Sequence, residues 1–301
     1  MKKFLGAFIL LVILAGCNRS QEITQVHVVA PSGSASYALT WMMAYGDANI
    51  VPEIVPNGEA LSARVLEGVD VAVVPVNLAA ALYNRGAGYV VAGVATWGNL
   101  FVLSTDEGIS DWDSLADAQV FSFGRGLVPD ATLLYLLARH GVDVDIEYLS
   151  SPQEVAQVLI GGLGSVGLLA EPAVTQVLNN SDARIILDVQ EEWGGGYPQA
   201  VVIISEELAN RDPLLVEQLL EEMAFSMEWA NNYPKELGIA AEALDEMANG
   251  GLIYQSIQGL NIRFMDATGA KQEILDYLEI LYGVSPELIG GSVPGDGFFL
   301  D

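Results

Sequence analysis

Short apolar runs recur along the chain, and each is followed by a segment with helical spacing. "VHVVA" (26–30), "VDVAVVPV" (69–76), "AQVFSF" (118–123) and "VGLLA" (166–170) are the clearest. A strand that is apolar on both faces must be covered on both faces, so this alternation asks for parallel sheets sandwiched by helices, an α/β fold. The first series reads βαβαβα: "VHVVA", a helix from Tyr37 to Tyr45, "VPEIVP", "GEALSARVLEG", "VDVAVVPV" and "NLAAALYNRG". "YVVAGVATWGNLFVLSTD" is too long for one strand and reads as two, broken at Trp97 and Gly98, as a chain crossing between domains would be.

A second series follows: "AQVFSF", "DATLLYLLARHG", "VDIEYL", "SPQEVAQVLIGG", "VGLLA", "EPAVTQVLNN" and "ARIILDV". Ser151 and Pro152 sit where a helix cap and a first-turn proline belong. After the Gly-rich "EEWGGGYPQ", "AVVIIS" looks like a return strand, and from "EELANR" onward the pattern is helical. The expected division is residues 24–98 plus 200–301 in one lobe and 99–199 in the other, joined by two crossings.

The N-terminus carries an address. Lys2 and Lys3 precede the apolar "FLGAFILLVILA", which is shorter than the roughly 20 residues of a bilayer span. "LAGC" ends in Cys17, the sole cysteine, and resembles a bacterial lipobox. It predicts a signal peptide over 1–16, lipidation of Cys17, a tether over 17–23 and an extracytoplasmic protein held at a membrane. Cleavage leaves no cysteine pair, so no disulfide supports the core.

Charge excludes one class of partner. With 39 acidic against 12 basic residues the formal net charge is −27, and no Lys/Arg stripe exists to neutralise nucleic-acid phosphates. The 51% apolar content is enough for large cores. Catalytic and metal signatures are weak. His27 lies in a strand and His140 at a helix end, with no HxxxH or HxxE spacing, and a cation suits a helix C-terminus. Neither a metal nor a cofactor is expected.

The stretch "FSFGRGLVPD" (121–130) lacks both GxGxxG spacing and a Walker lysine. Its position, between a parallel strand and a helix, is more informative, because open α/β sheets bind ligands beyond the carboxyl ends of their strands. Gly124 and Gly126 let backbone approach a ligand, and Arg125 either pairs with an acid group or balances local carboxylates at the surface. Equivalent junctions supply Ser32, Gly33 and Ser34 in "PSGSAS", Asn77 in "PVN" and Glu171 in "AEP". Trp97, beside Asn99, either stacks on a planar solute or packs the crossover, and Tyr197 carries the same two alternatives.

In order, "LAGC", "LEGVDVAVVPVNLAAAL", "ISDWDSLADAQVFSFGRG", "VLIGGLGSVGLLAEPAVTQVL" and "YGVSPELIGGSVPGDGF" resemble the substrate-binding lipoproteins of bacterial ABC importers. The likeness is to the group that binds nitrate, sulfonates, taurine and thiamine-pyrimidine precursors. It implies a two-lobed type II periplasmic-binding fold, each lobe a mostly parallel sheet flanked by helices. It also implies a monomer that captures a small anionic or planar heterocyclic solute between its lobes and hands it to a permease and its ATPase. As positions matching the family's cleft loops, Ser32, Gly33, Ser34, Asn77, Trp97, Asn99, Gly124, Arg125, Gly126 and Glu171 are carried over. The chain departs from the family in "GLGSVG", where many relatives carry an acid. Two other readings remain open: a cofactor-free enzyme on the same fold, and a surface sensor without transport.

Overall fold

A computed structural model describes residues 25–300 of the 301-residue chain. The expected signal peptide (1–16), lipidation of Cys17 and tether (17–23) lie outside the described residues.

The chain begins with β1 (Val26–Pro31), α1 (Ser34–Ala38), α2 (Thr40–Tyr45), β2 (Ile50–Val55), α3 (Gly58–Glu67), β3 (Val71–Pro75), α4 (Val76–Asn84) and β4 (Tyr89–Thr96). The helix expected over 37–45 is two helices, because Leu39, at φ −102° and ψ 7°, leaves the helical path between them. After a three-residue crossing, β5 (Leu100–Ser104) opens the second lobe. It continues through β6 (Gln119–Phe123), α5 (Val128–His140), β7 (Asp145–Leu149), α6 (Pro152–Ile160), β8 (Val166–Ala170), α7 (Ala173–Asn180) and β9 (Arg184–Asp188). β10 (Ala200–Ser205) returns to the first sheet, followed by α8 (Glu206–Arg211), α9 (Pro213–Asn232), α10 (Pro234–Leu244) and α11 (Gly250–Ser256).

The tail then departs from the all-helical expectation. β11 (Ile262–Asp266) precedes α12 (Ala267–Val284) and pairs antiparallel with β4. "IRFMD" alternates as a strand does: Ile262 and Phe264 pack into one core cluster and Met265 into the other. Asn261, at φ 48°, makes the turn into it.

The first sheet has the order β11-β4-β10-β3-β1-β2, and the second β7-β6-β8-β5-β9. β1 to β4 run in one direction, opposed by β10 and β11. In the second sheet only β5 opposes the others. The first strand after each crossing, β5 or β10, thus enters antiparallel to its neighbours. Leu100, the first residue of β5, pairs with Ala170 at the end of β8, while Ala200, the first of β10, pairs with Pro75 and Thr96 at the ends of β3 and β4. The carboxyl ends of both sheets are thereby turned toward the two crossings, where a ligand site belongs in such sheets.

α5 shows the local logic of the layers. Pro129 stands in its first turn, Arg139 and His140 lie at its last, and Gly141 closes it in the left-handed conformation at φ 69°. Its apolar face joins a core cluster that continues across the lobes, holding Val74 and Val201 of the first sheet with Val120 and Leu168 of the second.

Candidate functional site

The crossings are built from backbone that only glycine fits easily. Gly98 has φ 83°, and a Cβ there would lie 2.6 Å from the Tyr197 ring. Trp97 takes the packing alternative. It is 4% exposed, its indole N–H donates to the Arg263 carbonyl at 2.9 Å, and the Arg263 guanidinium lies 4.5 Å above its ring. Its backbone N–H donates to the Asn261 carbonyl, and the Asn261 amide donates to the Gly98 carbonyl at 2.9 Å. Trp97 therefore has little surface left for a solute. Tyr197 is likewise fully buried, stacked on Tyr277 at 4.8 Å and tilted against Trp193 at 4.9 Å.

Asn99 sits between the lobes' facing ends. It is 3% exposed, accepts from the Gln199 amide at 2.8 Å and donates to the Ser34 hydroxyl at 3.3 Å, while its carbonyl accepts from the Glu171 N–H at 3.2 Å. Four residues distant in sequence are thus joined through one side chain and its carbonyl. The Gln199 carbonyl oxygen of the side chain is itself buried with no donor.

Glu171, at the end of β8, accepts from the Thr175 N–H at 3.0 Å and the Thr175 hydroxyl at 2.9 Å, capping α7. Burial raises its carboxyl above the usual range, against the lowering effect of these two bonds. It also reaches the other lobe: a Cβ on Gly259, in the turn between α11 and β11, would lie 2.9 Å from the Glu171 Cγ. Nearby on the same flank the Asn179 amide of α7 donates to the Gln255 side chain of α11 at 2.7 Å.

The "PSGSAS" junction is partly helical, since α1 starts at Ser34. Gly33 has φ 115° and open space on its Cβ side. The Ser32 hydroxyl donates to the Asp245 carboxylate, and the Ser32 N–H is taken by the Val55 carbonyl. Burial, with the Asp245 charge adding to it, pushes the adjacent Tyr37 phenol up to about 12.

The turn that starts at "GRG" closes on itself through the Gly126 and Leu127 amides. The Gly126 N–H donates to Asp130 at 2.7 Å and the Leu127 N–H to the Gly124 carbonyl at 2.8 Å. Asp130, 5% exposed, also accepts from the Tyr148 hydroxyl at 2.6 Å. Burial first, then this bond and the Asp130 charge, push the Tyr148 phenol up to about 12, with Arg125 pulling the other way. Arg125 is exposed, its guanidinium 5.2 Å above the Tyr148 ring. A cavity of about 340 Å³ separates Gly126 and Asp130 from Ser285 and Leu288 of the first lobe. Asn77 borders this region and donates to the Leu288 carbonyl at 3.3 Å.

The structure therefore gathers Ser34, Asn99 and Glu171 into one network, sets Ser32 and Gly33 on the neighbouring loop, and places Asn77 and the 124–126 turn on another flank. Sequence reasoning missed Gln199, Asp245 and Gly259. Gln199 was within reach as the residue ending a Gly-rich return crossing; Asp245 and Gly259 lie in the helical tail, where no local pattern marks them. His140 stacks on Trp112 at 4.6 Å and meets Glu192 at 3.1 Å, a contact within the second lobe. Among the described residues no group of three or more His, Cys, Asp or Glu side chains is arranged for a metal, and no helix is long and apolar enough to cross a membrane.

A larger cavity, about 1070 Å³, lies on the outer edge of the first lobe between α8, α9 and the C-terminal residues, with Val216, Leu220, Phe264 and Phe299 on its walls. It touches neither crossing. Volume alone favours it, but the carboxyl ends of both sheets point to the region between the lobes.

Two α/β lobes joined by two crossings, with their strand ends facing each other, make up the type II periplasmic-binding fold, and the chain has that fold. No family model and no curated protein matches the sequence. Solved structures do match. An ABC transporter from Parabacteroides distasonis is 24% identical, with a TM-score of 0.82 over 92% of this chain and 99% of that one. The periplasmic aliphatic sulphonate binding protein SsuA from Escherichia coli is 14% identical, with a TM-score of 0.73 over 92% and 94%. The desulfurization enzyme DSZB is 16% identical, with a TM-score of 0.65 over 91% and 96%.

Proposed function

We propose that the chain is an extracytoplasmic solute receptor, lipid-anchored through Cys17, that captures a small molecule between its lobes and delivers it to the permease and ATPase of an ABC importer. The observation that carries this reading is the network through Asn99, which links the first loop of one lobe (Ser34), the return crossing (Gln199) and a strand end of the other lobe (Glu171). Ligand-linked closure needs such a place, where a solute contacts both bodies at once and shifts the balance between open and closed forms. The names of the sulphonate-binding and ABC-transporter neighbours support it.

The lobes are assigned as 24–98 with 200–301, and 99–199. The proposed solute contacts are Ser32, Gly33, Ser34, Asn77, Asn99, the 124–126 turn and Glu171, with Trp97 positioning the crossover from behind. Of the two solute classes that the sequence suggests, the anionic one depends on Arg125, which is exposed and engaged with Tyr148.

A thermal-shift screen of the purified chain tests the reading. A genuine solute at 100 times its Kd stabilises by about 2.7 kcal/mol; a broad panel that moves nothing would count against it. Mass spectrometry of the mature N-terminus tests the anchor, with an acylated Cys17 expected and an unmodified thiol contradicting it. The similarity to a desulfurization enzyme favours one alternative, catalysis in the same cleft. Recovery of the stabilising compound chemically unchanged after long incubation is expected for a receptor; a new product would reverse the assignment.

A further inference from the structure

The loops between the lobes bring in three carboxylates, Asp130, Glu171 and Asp245, and the cations beside them are laid over aromatic rings, Arg125 over Tyr148 and Arg263 over Trp97. Among the described residues none of the three has a lysine or arginine nitrogen within ion-pair distance. Asp130 is used by its own loop, accepting from the Gly126 N–H and the Tyr148 hydroxyl. Asp245 takes the Ser32 hydroxyl.

Glu171 is in a different position. Its two donors both come from Thr175, one to each oxygen, while a carboxylate offers about four acceptor sites. Its side chain lies against the Gly259 backbone of the opposite lobe, so it is withdrawn from water without gaining a cation. Such a carboxylate is costly until a positive group or further donors meet it.

Two further polar atoms at the crossings lack a partner. The Gln199 side-chain oxygen, which can only accept, is buried without a donor, while its amide gives one N–H to Asn99. The hydroxyl of Thr96, the fully buried last residue of β4 beside the first crossing, also has no partner. Arg125 does not offset this, being exposed and laid over Tyr148. The net charge of −27 adds a field that concentrates cations at the molecule and repels anions.

We infer that the solute presents a protonated nitrogen, or a compact set of N–H donors, to Glu171 where the two lobes meet. The inference rests on the solute-receptor reading. A cationic nitrogen would complete the open acceptor sites of Glu171. A planar amidinium or aminated heterocycle offers a carboxylate N–H donors from one rigid group, as guanidinium does. An anion at the same place would leave the open acceptor sites of Glu171 unmet and add like-charge repulsion.

The test uses the full chain purified in detergent at low salt. Thermal shifts are recorded with cations (putrescine, choline, benzamidine), anions (succinate, ethanesulfonate, benzoate) and the neutral benzamide. A yeast extract resolved on cation- and anion-exchange resins is screened alongside them. Whatever stabilises is then titrated against Glu171→Gln, which removes the charge, keeps one oxygen for the Thr175 N–H and turns its amide to the Thr175 hydroxyl, which can accept. The expected result is stabilisation by a cationic probe or by the cation-exchange fraction, with binding at least about tenfold weaker in the variant, the usual scale for losing a charged hydrogen bond. Stabilisation confined to anionic or neutral samples, or equal affinity in E171Q, would overturn the inference and leave the receptor reading standing. No response to any sample would instead overturn the receptor reading, and the inference with it. Should E171Q fail to fold, the charge class of the stabilising sample decides alone.

Discussion

The two lobes meet along two flanks of opposite character. On one, α12 of the first lobe packs on α5 of the second, and the fully buried Tyr277 bonds Thr132 at 2.7 Å, stacks on Tyr197 and meets Trp193 edge-on. On the other, α7 faces α11 through Glu171, Gly259, Asn179 and Gln255, with the Asn99 network at its inner end. Separating the first flank exposes aromatic surface to water. Separating the second mainly exchanges internal hydrogen bonds for hydrogen bonds to water, at a small net cost. An interface made this way can hold together at one side while it opens and closes on a solute at the other.

That comparison can be broken most sharply at Tyr277. Removing its ring in Tyr277→Ala is expected to cost about 3–5 kcal/mol in urea unfolding, the range for large buried aromatics; a loss below about 1 kcal/mol would mean the aromatic flank is not core-like. Asn99→Ala comes next, at about 1–3 kcal/mol, because it strands the Gln199 amide in a buried setting. No change there would mean that the polar network is already shared with water.

Glu171→Gln sharpens the comparison through pH. Because burial raises the Glu171 carboxyl in the folded protein, its contribution is fully present below the unfolded pKa and is lost as pH rises through the folded one. The variant should therefore gain stability relative to the parent as pH is raised from 4 to 8, and match it at the acid end. A constant difference across that range would contradict the assignment. A bound cationic solute should flatten the dependence. The smallest effect belongs to Asn179→Ala, whose bond to Gln255 is exposed; a change within about 0.5 kcal/mol is expected in the same unfolding measurement.

The parts of the molecule that were legible in the sequence are those whose cause is local. Apolar runs gave the strands of both sheets, Trp97–Gly98 gave the first crossing, and Ser151 caps α6 as its type and place require, accepting from the Glu154 N–H. β11 was not legible, because five residues of weak alternation after a helix carry their meaning only once β4 is there to pair with them. The site divides in the same way. Ser34, Asn99 and Glu171, which one network joins, lie in the junctions that follow β1, β4 and β8, and such junctions are marked by position in the sequence. Asp245 and Gly259 come from the C-terminal tail folding back over the first lobe, a long-range event with no short-range mark. Trp97 shows the converse: its residue type left stacking on a solute and packing of the crossover both open, and only the surrounding Arg263, Asn261 and Gly196 select packing.

The central claim is that a solute binds between the lobes and not in the larger groove at the outer edge. Hydrogen exchange with and without a stabilising compound tests this most directly. Binding between the lobes should add protection in 31–36, 96–100, 170–176, 197–200 and 256–261, with 206–224 and 296–300 unchanged. Protection confined to 206–224 and 296–300 would contradict it.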